Sequence, residues 1–145
     1  MTTQRPAHLT PAPVSRRLVN IGLWLLQAVL ALLFVATGLA KLALPMPQVE
    51  AMMPWASSVP DLVVRFIGLA ELAGALGLLL PSISRVRPGL TPLSALGLLT
   101  IMVLAMVLHL SRGEGMMIGV TFTLAVLVSL VAWGRSSLAP IAPRR

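Results

Sequence analysis

The side chains able to do chemistry are few in this chain, and they fall in a pattern. Four Asp and Glu stand against eleven Lys and Arg, with two His and no Cys. Without cysteine, disulfides, thiolate metal sites and dithiol redox chemistry are excluded, so a redox role would need a bound cofactor or a quinone. Inside or just beside apolar stretches lie Lys41, Arg65, Glu71, His109, Arg112 and Glu114. Ionisable groups in such places are costly and usually functional. Glu71 is the sharpest case. It sits some ten residues into an apolar run, roughly 15 Å along a helix at 1.5 Å per residue. Three and four residues from it are Gly68, Gly74 and Ala75, a stripe of small residues that lets a neighbouring helix approach. Two readings stay open: a site carboxyl that exchanges protons, or a protonated acid acting only as glue between helices.

Lys41 is the only lysine. Gln27, Ala31, Phe34, Gly38 and Lys41 repeat at spacings of 4, 3, 4 and 3, so they share one face of a helix, with Thr37 beside it. An ammonium is compact and responsive to burial, unlike a guanidinium; the plain alternative is snorkelling at a helix end. His109 closes another apolar run on a face with Met102, Ala105 and Met106. The residues proposed to line a ligand site are therefore Lys41, Glu71, His109, Gln27 and Thr37, with Arg65, Arg112 and Glu114 at its rim. Gly38, Gly68, Gly74 and Ala75 are packing positions. Arg65 is six residues from Glu71, about 120° around a helix, so it is expected at the headgroup boundary rather than paired with the carboxylate. Arg112 and Glu114 share a tight turn and would form a surface ion pair of little energetic weight. Haem with two histidine ligands is not expected within one subunit, because His8 lies in the opposite tail; a histidine–methionine pair is the ligation left open. The eight methionines read as adaptable packing. Metal sites and the usual nucleotide, hydrolase and zinc-protease motifs are missing, so no catalytic residue is assigned.

These residues must be held by elements suited to lipid. The 145 residues are 57% apolar and 10% charged, against about 25% charged in a soluble domain. Apolar runs at about 18–40, 62–80, 90–110 and 116–134 each match the ~20 residues that cross a hydrocarbon core. Lipid leaves backbone groups no partner but their own helix, so an all-α, four-helix transmembrane bundle over 18–134 is expected. Residues 1–17 and 135–145 read as cytoplasmic tails, the first rich in Pro. Pro45, Pro47, Pro54 and Pro60 punctuate the first connection, expected to lie in or dip into the interface; Pro81 and Pro88 bracket the second, and Gly113 and Gly115 loosen the third.

Arg5, Arg16, Arg17, Arg85, Arg87, Arg135, Arg144 and Arg145 fall on the side of the tails, and Lys41, Arg65 and Arg112 on the other. Eight against three puts both termini inside. The formal charge of +7 is a cationic fringe for headgroups rather than a nucleic-acid surface, since the charges sit at helix ends without interleaved aromatics.

With these residues placed, the chain resembles the DoxX-like family of small four-helix bacterial membrane proteins. The resemblance rests on Phe34-Val35-Ala36-Thr37-Gly38-Leu39-Ala40-Lys41, on Gly68-Leu69-Ala70-Glu71-Leu72-Ala73-Gly74-Ala75-Leu76-Gly77 with Pro81 before Arg85, and on His109 followed by Gly113-Glu114. It covers roughly residues 20–133 and implies the fold, in a bacterial inner membrane. It implies less about activity, because relatives are linked both to quinone-dependent membrane redox complexes and to the assembly of other membrane proteins. Two functions follow as expectations. One is an accessory or quinone-binding subunit of a membrane redox complex. The other is a non-catalytic protein docking partner membrane subunits through the small-residue stripe.

Overall fold

The computed structural model describes residues 14–144, so most of the N-terminal tail, His8 included, lies outside the described residues. Four long helices carry the fold: α1 (Val14–Ala43), α3 (Asp61–Ser84), α4 (Leu90–Ser111) and α5 (Gly115–Trp133), with a short α2 (Met46–Met52) between the first two. All four long ones are apolar and long enough to cross a membrane, and among the described residues there is no strand. The protein is an all-α membrane bundle. Its outer surface is built of Leu25, Leu32, Leu39, Phe66, Leu69, Leu76, Leu104 and Phe122, all exposed. Water would not tolerate such a surface, but lipid is as apolar as leucine.

Local sequence sets most helix ends. Pro45 stops α1, because the residue before a proline is pushed out of the helical region. Asp61 opens α3, where a negative charge complements the helix dipole. Pro81 corrects an expectation: it does not bracket the second connection but lies inside α3, which runs on to Ser84. The ring removes one hydrogen bond to the preceding turn, yet a backbone facing lipid gains more by continuing the helix than by opening. The helix ends instead at Arg85, whose φ of 56° is left-handed. At the far end, α5 does not release a free tail after Gly134. It continues through a π-helical turn, Gly134–Leu138, in which Arg135 is buried; residues 135–145 are in part built into the bundle.

α1 packs along α3, α3 along α4 and α4 along α5, while α5 touches α1 only lightly. Neighbours are antiparallel, which brings the N-terminal start of α1, the α3–α4 turn and the end of α5 to one end. The main core joins Leu30, Phe34, Ala75, Leu78, Leu98 and Val128. A second cluster of Val49, Ala56 and Val64, flanked by Leu44, Met53 and Trp55, folds the connection between α1 and α3 onto the opposite end of the bundle. That connection is packed structure, α2 followed by a 3-10 turn at Pro54–Ser58.

Candidate functional site

The site begins where α1 and α3 come closest. A Cβ added to Gly38 would lie 2.8 Å from the Gly68 carbonyl oxygen, and one added to Gly68 would lie 2.8 Å from Lys41 Cβ. The two glycines let the backbones approach, and the approach sets Lys41, in the last turn of α1, beside Glu71 of α3. Lys41 Nζ donates to both carboxylate oxygens, at 2.7 and 3.0 Å, and Thr37 Oγ1 donates to Oε2 at 3.0 Å. The two charged side chains are only 4% and 5% exposed. Taking each ion out of water costs several kcal/mol, so the pair is tolerated because donors converge on the carboxylate. Trp55 closes another side, its ring centroid 5.8 Å from Nζ.

Arg65 does not pair with Glu71. It turns back to donate to the carbonyls of Lys41 and, at 2.9 Å, Leu44. The last carbonyls of α1 have no partner in their own helix, and Pro45 offers no N–H, so the guanidinium caps them. It thereby fixes the turn that carries Lys41.

Lys41, Glu71, Thr37 and His109 all line one cavity of about 510 Å³ between the four long helices. Phe34, Trp55 and Met102 add to an otherwise apolar wall. His109 Nδ1 lies 2.6 Å from Glu114 Oε2, and Arg112 Nε donates to Oε1 at 2.6 Å. An ionised carboxylate only accepts, so Nδ1 carries the proton and Nε2 is the nitrogen left for a ligand. Arg112 also reaches Ser58 Oγ, tying the α4–α5 turn to the α1–α3 connection. Glu114, in that turn, is held below its ordinary pKa of 4.5, first by the hydrogen bond with His109 and then by the one with Arg112, against a smaller opposing effect of desolvation. The expected rim residues Arg65, Arg112 and Glu114 thus stand behind the lining residues rather than among them.

Gln27 is the clearest correction. It is fully buried on the same face of α1 as Lys41 but joins a different cluster. Its amide donates to the Leu78 carbonyl and to Ser82 Oγ at 3.4 Å, and its oxygen accepts from Arg135 Nε at 2.6 Å. The Leu78 carbonyl lies in the turn that Pro81 loosens. Gln27 and Lys41 are fourteen residues apart, about 21 Å along a helix, so a shared face is not a shared site. Arg135, expected in the cationic fringe for headgroups, is instead buried, 4% exposed. The pairing of Asn20 and Gln27, seven apart in an otherwise apolar run, was the signal for it.

The stripe of small residues is occupied within the chain. Gly68 meets α1, and a Cβ on Gly74 would strike the Leu98 side chain of α4 at 2.5 Å. Ala75 is 1% exposed in the core.

Apolar spanning helices around a buried charge pair define a multi-pass α-helical membrane protein. Comparison with known proteins agrees. The chain matches the model of the DoxX-like family over residues 25–133 and belongs to that family. No curated protein and no solved structure gives a match.

Proposed function

We propose that the protein is an accessory subunit of a membrane redox complex that holds a quinone in the cavity between its helices. The observation that supports this most is the Lys41–Glu71 pair on the wall of an apolar cavity that also contains His109. An apolar pocket with a few convergent polar groups is what a small amphipathic ligand requires. Two of the three Lys41 protons are directed at Glu71, and the third is free to donate to a quinone carbonyl. Glu71, hydrogen-bonded to that ammonium, is placed to exchange a proton with the same oxygen. His109 Nε2 serves the other end of the ring. In this reading the site lies in the outer half of a bacterial inner membrane, with both termini cytoplasmic. The competing reading, docking of partner subunits through the small-residue stripe, is weakened because α1 and α4 already cover that stripe.

A short-chain quinone titrated into the purified protein in neutral detergent should quench tryptophan fluorescence saturably through Trp55. Lys41→Met, Thr37→Val and His109→Gln should each weaken binding about tenfold, the value of one hydrogen bond to a charged or polar site group. Quenching that never saturates, or that all three variants leave unchanged, rejects the quinone site.

A further inference from the structure

The end of the bundle that carries the start of α1 and the end of α5 has a second feature, separate from the quinone cavity. Arg135 is 4% exposed. Its Nε donates to Gln27 Oε1 at 2.6 Å, and its Nη1 to Asn20 Oδ1 at 2.6 Å and the Ala139 carbonyl at 3.2 Å. The guanidinium stacks on Trp24, 5.1 Å from the ring centroid. Every one of these partners is neutral, and Nη2 has no partner among the described residues. A guanidinium does not shed its proton to escape burial. A buried cation without a counter-charge is strongly disfavoured.

The chain offers no side-chain carboxylate to balance it. All four acidic residues lie elsewhere: Glu50 in α2, Asp61 at the start of α3, Glu71 beside Lys41, and Glu114 in the α4–α5 turn. At this end are Arg16, Arg17, Arg85, Arg87 and Arg144 instead. Three of them, Arg16, Arg17 and Arg85, line a cavity of about 700 Å³ together with Asn20, Trp24 and Ala139. Those last three residues all contact Arg135, so the buried guanidinium lies behind this part of the cavity wall. The chain beyond the π-helical turn is fixed across this end, the Arg144 N–H donating to the Arg85 carbonyl at 3.0 Å. Ile83 and Ile141 supply apolar wall.

We infer that this cavity binds a phosphate-bearing anion, which completes the charge balance of Arg135. Arginine forks match phosphate geometry, and basic pockets between helix ends suit anionic headgroups. The apolar wall beside the arginines favours the headgroup of an anionic phospholipid as the source, and free phosphate is the other source of the same chemistry. The test uses the full chain in neutral maltoside micelles at fixed ionic strength, reading the thermal midpoint and tryptophan emission. Phosphatidylglycerol, phosphatidylcholine and inorganic phosphate are titrated separately. Phosphatidylglycerol should raise the midpoint saturably and phosphatidylcholine should not. Arg16→Gln with Arg17→Gln, and separately Arg85→Asn, should each weaken the apparent affinity about tenfold or more. Asparagine accepts the left-handed backbone at position 85, so that variant folds. Saturation by phosphatidylglycerol alone assigns a lipid site, and saturation by inorganic phosphate as well assigns an open phosphate site. Equal response to phosphatidylcholine, no saturable response, or undiminished binding in both variants overturns the inference.

Discussion

Breaking the Lys41–Glu71 pair from one side tests the physical basis of the site. Both side chains are almost fully enclosed and bonded at 2.7 and 3.0 Å, so neither can turn to water when its partner is removed. Lys41→Met strands a carboxylate that keeps only the Thr37 hydroxyl, and Glu71→Gln strands an ammonium beside a neutral amide. A single truncation of a buried pair costs about 3–5 kcal/mol. At roughly 3 °C per kcal/mol for a chain of this size, each single variant should melt about 10 °C below the parent. The double variant Lys41→Met/Glu71→Gln leaves no ion at this crossing. Thr37 remains satisfied in it by the Leu33 and Phe34 carbonyls, at 3.2 and 3.4 Å. The double should therefore recover to within about 2 kcal/mol of the parent, a coupling of about 3 kcal/mol or more. Thermal unfolding of all four proteins in one detergent, followed by tryptophan emission, measures the cycle. Singles that each cost under 1 kcal/mol, or a double equal to their sum, would refute the claim that the two charges are held by each other.

Three further expectations can be checked independently. Gly68→Ala places a methyl 2.8 Å from Lys41 Cβ and 2.9 Å from the Gly38 carbonyl; overpacking of this kind costs about 1–3 kcal/mol, read as a lower thermal midpoint together with weakened quinone binding. The Glu114 carboxyl is depressed in the folded protein, so its contribution is complete above the ordinary value of 4.5 and lost as pH falls through the lowered folded value. The thermal midpoint should therefore fall as pH drops below 4.5, and Glu114→Gln should flatten that part of the dependence. Cysteines at Ser57 and Ser137 should react with an impermeant reagent from opposite faces of the membrane, and labelling from the same face contradicts the four-span topology.

Much of the fold was legible because lipid allows so few solutions. A run of twenty apolar residues has no alternative to a helix in hydrocarbon, and four such runs joined by short connections become an antiparallel bundle. Lys41, Thr37, Glu71 and His109 were legible for the same reason: polar groups are so expensive there that the few present draw attention. Periodicity misled at Gln27. Spacing reports the angle around a helix and says nothing of depth along it, so a residue about 21 Å from Lys41 was assigned to the same site. The capping role of Arg65 was not legible, since a basic residue near a helix end reads alike whether or not it also caps a neighbouring helix.

The amino-acid sequence alone determined that this chain is a helical membrane protein with four apolar spans, because transfer free energies act residue by residue. Only the tertiary structure decided the pairings. The Gly38–Gly68 crossing joined Lys41 to Glu71, and the π-helical turn after α5 carried Arg135 in to Gln27 and Asn20. Such contacts depend on how closely two helices approach and at what height, which no single helix encodes.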